Sequence, residues 1–369
     1  MREFDLGIDG RMLRHTGIGT YLSGLLKGLS EVYPALPVSA ALFGAEEPVY
    51  PENFAHPAFK APIYSVKEQL IYPGLLSRCR LWHAPHYNVP LLKRGTGLVV
   101  TVHDLIHWIF RRQFFGPHQA AYAGLMLNRT VRTADHIITV SENTKKDLIH
   151  HFGANPEKLS VIYEAVDETF RPASADQIAE LLARYGIQGP YFLYVGSLKP
   201  HKNLLWLLPV FRRLRAEGKI RAKLVILGKK DLKYRAGYEA LGKIETDGDI
   251  HYLPSVASGE LPTLYSGAIA LVHPSLYEGF GLTPLEAMAC GTAVIAARNA
   301  SIPEICGEGA CLVDSSGNHD IMQAIIQAEN DPTFRRQLQE RGKNRVTRYS
   351  WQETARKTLE VYQKVLVAS

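Results

Sequence analysis

The stretch "AIALVHPSLYEGFGLTPLEAMACGTAVIAA", Ala268 to Ala297, holds a strand, a loop, a helix and a second strand in thirty residues. "AIALVHP" is a near-continuous apolar run, the pattern of a strand buried on both faces of a parallel sheet. Ser275 to Leu282 is then the loop leaving its carboxyl end. Thr283-Pro284-Leu285-Glu286 reads as a helix start, with Thr as cap, Pro at the first helical position and Glu three residues after the cap. Two glutamates stand in this one unit. A reciprocal capping box gives Glu286 a fully structural account, whereas Glu278 has none. Beside Gly279, Phe280 and Gly281 it sits where backbone can approach a ligand closely, and the free N–H groups of the helix start suit a phosphate.

The same order of elements recurs outward in both directions. "FDLGID" is an early strand, "RHTGIGT" a glycine turn and "YLSGLLKGLSEVY" a helix by its apolar spacing. "GLVVTV" and "HIITV" follow as strands, the second leading into a helix opened by Ser141 and closed near Gly153. A polar stretch joins the halves near Asp167 to Ser174, and "YFLYVGS" and "AKLVILGK" then restart the cycle. Two α/β sheets in series result, and ligands of such sheets bind at the carboxyl ends of strands. The end, "SWQETARKTLEVYQKVL", is one amphipathic helix capped by Ser350.

With 369 residues, two domains are the first expectation, and the 46% apolar content is ordinary for a soluble protein. The start, "MREFDLGIDG", lacks the basic segment and apolar run of a secretory signal, so a cytoplasmic location is expected. Cys79, Cys290, Cys306 and Cys311 form no zinc-type spacing and read as free, buried thiols. The formal net charge of +6 suits an anionic partner, whether nucleic acid, a membrane surface or a phosphorylated small molecule.

"PSLYEGFGLTPLEAMACGTAV" resembles the Glu-x7-Glu signature of retaining, nucleotide-sugar-dependent glycosyltransferases of the GT-B fold, the family 4-like, group 1 enzymes that include many bacterial mannosyltransferases. "GIDGRMLRHTGIGTYLSGLL", "TVHDLIHWIF", "ADHIITVSENTKKDL", "VIYEAVDETFRP", "YFLYVGSLKPHKNL" and "LPTLYSGAIALVHPSLYEGFG" are similar to family segments in the family's order. The resemblance implies an α/β fold of two Rossmann-like domains facing across a cleft. Residues 1–170 would form the acceptor-side domain and 171–349 the nucleotide-sugar domain, with 350–369 as a helix returning to the first.

Residue by residue, the resemblance implies that Glu278 lies by the donor sugar and Glu286 binds the ribose. The N–H groups of Gly281 and Leu282 would hold the diphosphate. Lys202 neutralises the leaving diphosphate, and Ser197 stands where many members carry a cation, which leaves more of that charge to Lys202. Gly17 and Gly19 belong to a glycine loop facing the diphosphate from the first domain. His103, at the end of "GLVVTV", reads by itself as a satisfied buried histidine, while the resemblance sets it by the transferred sugar. Asp104 either caps the turn or joins His107 and Trp108 as acceptor contacts. "WIFRRQFF", Trp108 to Phe115, reads equally as a packing loop or as a contact with anionic lipid headgroups.

A cofactor is not expected, the nucleotide sugar being a substrate. "DGD", Asp247 to Asp249, reads as a polar turn before "IHYLP" rather than as a metal site. The expected reaction moves a hexose, from GDP-mannose ahead of UDP-sugars, to a glycan or lipid-linked acceptor of a surface polysaccharide, at the inner face of the membrane. A sugar-nucleotide epimerase or phosphorylase of the same fold is the alternative. A basic nucleic-acid-binding protein is another, although the basic residues look dispersed rather than clustered on one face.

Overall fold

The computed structural model describes residues 2–33, 39–45, 54–93, 95–229, 248–257 and 259–368. The chain divides into two compact units, one of residues 1–165 together with 349–369, the other of residues 166–348.

The first unit holds a parallel sheet of β1 (Phe4–Asp9), β2 (Ala40–Phe43), β3 (Cys79–Ala84), β4 (Gly97–Val102), β5 (His136–Thr139) and β6 (Leu159–Val161), in the order β2-β1-β3-β4-β5-β6. Successive residues of a strand point to opposite faces. Trp82 and Val100 accordingly pack in one apolar cluster, while their neighbours Leu81 and Val99 pack in another. The second cluster joins the first helix, Thr16–Val32, to the last, Trp351–Ala368, through Tyr21, Leu25, Ala355, Leu359 and Tyr362.

Two glycines let these helices touch. A Cβ on Gly24 would stand 2.1 Å from the Trp351 ring, and one on Gly28 would stand 2.3 Å from the Trp351 carbonyl oxygen. Tyr362 then bonds His83 Nδ1 at 2.6 Å, and the Thr354 hydroxyl donates to the Tyr163 carbonyl at 2.7 Å. The last helix thus completes one face of the first sheet, and Ser350 caps it by accepting from the Glu353 N–H.

The second unit repeats the architecture with β7 (Tyr191–Val195), β8 (Lys223–Leu227), β9 (Ile250–Leu253), β10 (Ala270–His273), β11 (Ala293–Ala297) and β12 (Cys311–Val313), in the order β12-β11-β10-β7-β8-β9. All described pairings are parallel, with Leu271 of β10 opposite Leu193 of β7 and Val272 opposite Ile295 of β11. Phe192, Leu224, Ile226, Val272 and Ile295 share one core. Of the cysteines, Cys79, Cys290 and Cys306 are buried and Cys311 is half-buried, all as free thiols.

Candidate functional site

In the second sheet the chain runs outward from β7 through β8 to β9 on one side, and from β10 through β11 to β12 on the other. Connections leaving in opposite directions open a crevice at the carboxyl ends of β7 and β10. After β7, Gly196 and Ser197 lead into a single tight turn, Pro200–Lys202. After β10 comes the loop that carries Glu278. The two meet across the crevice, with Lys202 Nζ donating to both Glu278 carboxylate oxygens at 2.7 and 2.9 Å.

Backbone bonds fix this loop in place. The Leu276 N–H donates to the His201 carbonyl at 2.7 Å, and the Ser301 hydroxyl lies 2.9 and 2.6 Å from the carbonyls of Glu278 and Phe280. Asn299 Nδ2 donates to the Ser275 carbonyl. His273, the last residue of β10, puts Nε2 3.1 Å from Glu278 Oε1, within ion-pair distance but not aligned as a hydrogen bond. Burial alone would raise the Glu278 carboxyl, yet Lys202 and His273 together hold it well below the usual carboxylate range. Ser197 stands in the turn with its carbonyl accepting from the Tyr194 hydroxyl at 3.3 Å.

The helix after the loop is Leu282–Ala289, and its cap is Gly281 rather than Thr283. The reason is the backbone: Gly281 has φ 122°, open to glycine alone, and a Cβ there would press on Ile302 Cδ1 at 2.9 Å. This turn starts the helix two residues early, so Glu286 falls beyond the first turn and forms no capping box. Its Oε2 accepts instead from the Tyr265 hydroxyl at 2.9 Å. Burial lifts this carboxyl to about 7, against the lowering pull of Tyr265 and Lys202. The N–H groups of Gly281 and Leu282 lie at the helix start, ahead of the carbonyls that could accept from them. Sequence reasoning missed His273, Tyr265 and Ser301. His273 opens the loop segment and carried a signal, while the other two reach the site only through the fold.

The first unit presents its own set. In its sheet the change of direction lies between β1 and β3. Gly17 and Gly19 stand in the first turn of the helix Thr16–Val32, not in a loop. A Cβ on Gly19 would come within 2.3 Å of the Leu13 carbonyl oxygen, so its absence lets the helix sit on the turn, whereas Gly17 faces open space.

His103 follows β4, with Nε2 3.0 Å from the Pro85 carbonyl and Nδ1 2.9 Å from Glu164, a buried carboxyl the sequence reading did not single out. A carbonyl only accepts, so Nε2 carries a proton. Asp104 accepts from the Ile106 N–H at 2.9 Å and so caps its turn. The His107 ring bonds the Tyr87 hydroxyl at 3.1 Å and lies against Phe115. Trp108 is tucked onto Phe152 and into the space above Gly124, with Arg111 over its ring, so it packs the unit.

Another group unforeseen from sequence follows β1. Arg11 Nη2 lies 2.5 Å from Asp9 and 2.6 Å from Glu68, with its guanidinium 3.6 Å from the Phe59 ring centre. Of the "DGD" turn, Asp249 accepts from Arg215 Nε at 2.8 Å, and Asp247 lies outside the described residues. No helix among the described residues is long and apolar enough to cross a membrane.

Two family models match in succession, Glycosyltransferase Family 4 over residues 39–170 and Glycosyl transferases group 1 over residues 179–345. The chain is 29% identical over 285 residues to the O-antigen chain mannosyltransferase B of Escherichia coli, covering 76% of this chain and 74% of that one. It is 29% identical over 247 residues to the O-antigen chain mannosyltransferase RfbU of Salmonella typhimurium, covering 67% and 64%. Among solved structures, sucrose-phosphate synthase from Thermosynechococcus elongatus aligns with a TM-score of 0.79 at 19% identity, over 99% of both chains. Anabaena Alr3699/HepE in complex with UDP-glucose aligns at 0.78 and 16% identity, over 98% of this chain and 100% of that one.

Proposed function

We propose, from the premise that this chain is a GT-B glycosyltransferase with a family 4 domain followed by a group 1 domain, that it moves a hexose with retention from a nucleoside-diphosphate sugar, GDP-mannose ahead of UDP-sugars, to a glycan or lipid-linked acceptor in polysaccharide synthesis. The observation that carries this reading is the Lys202–Glu278 pair at the carboxyl ends of β7 and β10, one turn of chain from the start of the helix Leu282–Ala289. A cation and a row of N–H groups suit a diphosphate, and a carboxylate beside them suits the sugar it carries. The mannosyltransferase relatives favour mannose as that sugar.

In this reading Lys202 leaves Glu278 to meet the diphosphate, and Glu278 turns to the sugar as positive charge gathers on the anomeric carbon. The acceptor oxygen bonds to that carbon as its bond to the leaving phosphate oxygen breaks on the same face, and a phosphate oxygen takes the acceptor's proton. Lys202 and the helix start stabilise the charge that develops on the leaving group. Glu286 accepts from the ribose hydroxyls. His103 meets the sugar only by releasing Pro85 or Glu164. These counter-charges serve without a divalent metal, and full turnover in EDTA is the expectation. A lipid-linked acceptor sets the enzyme at the cytoplasmic face of a membrane.

The test is transfer from GDP-mannose and UDP-sugars to lipid-linked sugars, with product NMR. An α-linked product from an α-linked donor is expected, and an inverted linkage overturns the mechanism. Nucleotide release that needs no acceptor and yields an altered free sugar overturns the transferase reading itself.

A further inference from the structure

Two oxygens face the two ring nitrogens of His103, the Pro85 carbonyl 3.0 Å from Nε2 and the Glu164 carboxyl 2.9 Å from Nδ1. Each bond needs a proton between its two atoms, so Nε2 donates to Pro85 and one further proton is shared by Nδ1 and Glu164. The backbone is pinned as well. From the helix Glu142–Phe152 the Thr144 hydroxyl donates to the His103 carbonyl at 3.1 Å. Tyr21 lies edge-on to the imidazole, with ring centres 4.8 Å apart. Its hydroxyl bonds Thr101 at 2.9 Å, Thr101 bonds His83 at 2.9 Å, and His83 bonds Tyr362 of the last helix. That chain fixes the wall against which the ring rests, and Glu164 fixes the turn of the ring itself.

Two neighbouring histidines show what the carboxyl adds. His83 bonds two hydroxyls, and burial together with the nearby His103 pushes it down to about 3. His86 accepts at Nδ1 from the Asn88 N–H at 3.3 Å, and burial and the histidines around it push it well below its ordinary range. Of the three, His103 is the one that bonds a carboxyl. In turn, His103 is the group among the described residues that bonds the Glu164 side chain. Burying a carboxyl without a partner costs free energy, so this ring accounts for a glutamate buried three residues beyond β6. Solvent reaches the two unequally, with 13% of the His103 side chain exposed and 5% of Glu164. A ligand therefore meets His103 first. An imidazole–carboxyl bond is charge-assisted and stronger than one to a neutral carbonyl, so a ligand takes Nε2 from Pro85 rather than Nδ1 from Glu164.

We propose, resting on the transferase reading, that Glu164 is a positioning residue for sugar transfer: it keeps Nδ1 while the Nε2–H of His103 passes from the Pro85 carbonyl to a hydroxyl oxygen of the donor sugar. Glu164→Met, which keeps the volume and offers Nδ1 no partner, should lower kcat ~10- to 100-fold. Glu164→Gln, whose amide N–H can donate to Nδ1, should recover most of that loss. With His103 replaced by Ala, Glu164→Met should change kcat less than about twofold, because it acts only through the ring. Ring-15N-histidine spectra of the full chain read the hold without any transfer, the His103 signal being assigned by its loss in His103→Ala. The Nε2 proton should exchange slowly in wild type and Glu164→Gln, and about tenfold or more faster in Glu164→Met. An equal loss of kcat from Glu164→Met with and without His103 overturns the proposal. So does equal protection of the proton in wild type and Glu164→Met, or a Gln variant as impaired as the Met variant. Failure of the transferase reading looks different: the wild type then moves no sugar while its protected proton remains.

Discussion

Glu278 and Glu286 lie eight residues apart, are both half-buried, and are held in opposite ways. The loop carboxylate is pinned between Lys202 and His273 and stays ionised far below neutrality. The helix carboxyl bonds to a phenol, Tyr265, feels Lys202 only from beyond hydrogen-bond distance, and is lifted by burial to about 7. One short segment thus offers a fixed negative charge and a charge that water's own pH range decides. Burial is common to both, and the difference lies in whether a cation stands within reach.

The largest effect should come from removing the fixed charge. Glu278→Gln is expected to lower kcat by ~100-fold or more with little change in donor KM, because its carboxylate acts most as positive charge builds in the transition state. Near-normal kcat would break the comparison at its stronger end. Glu286→Gln should instead raise donor KM by ~10- to 100-fold, the loss of a charge-assisted hydrogen bond to ribose made equally in ground and transition states. Ribose hydroxyls donate, so they favour the ionised form, and wild-type donor KM should rise as pH falls through about 7. A flat profile in Glu286→Gln and a sloping one in wild type is the signature. An unchanged donor KM in the variant would leave Glu286 a purely structural group.

Stability sharpens the contrast. The Glu286 carboxyl is raised on folding, so its contribution is complete below its ordinary value near 4.5 and is lost as pH rises through about 7. Between pH 5 and pH 8 the unfolding free energy of Glu286→Gln should move in the variant's favour by up to ~3 kcal/mol relative to wild type. Glu278 is lowered on folding, and its contribution is already complete above its ordinary range. Denaturant titrations at the two pH values measure the difference. The smallest effect is expected from His273→Leu, which removes the ring 3.1 Å from Glu278 and leaves the Lys202 contact in place. A kcat lowered ~2- to 10-fold at unchanged donor KM fits a group that positions Glu278, whereas an altered donor KM would mean that His273 meets the donor itself.

The strands were legible because parallel strands buried on both faces leave long apolar runs such as "GLVVTV", and the helix from Ser141 to Gly153 was legible because both of its ends carry capping residues. That Lys202 and Glu278 stand at strand ends followed from reading the loops there, but their direct pairing did not. The helix start at Gly281 did not, since a φ of 122° leaves no mark on sequence beyond a glycine, and glycine serves many turns. Glu286 looked like a capping residue for that reason. Tyr265, 21 residues earlier, reaches it only because its own helix packs beside the site. In the first unit, Gly17 and Gly19 read as a loop because glycine disfavours helix, and contact with Leu13 overrode that propensity at Gly19. Trp108 looked like a binding residue, and the missing side chain of Gly124 made a packing slot for it.

The closing of the first sheet by the chain's last helix sets an order for synthesis on the ribosome. Gln352 bonds Glu31 across 321 residues, and Trp351 fills the space left by Gly24 and Gly28. A nascent chain therefore carries one apolar flank of its opening segment uncovered until residues 351–368 have been made. Residues 166–348 form a continuous segment, free to collapse as soon as they emerge. Domains generally mature from the amino end during translation, but here the first unit is completed only after the second has been made, and chaperone demand should fall once residues 351–368 have emerged.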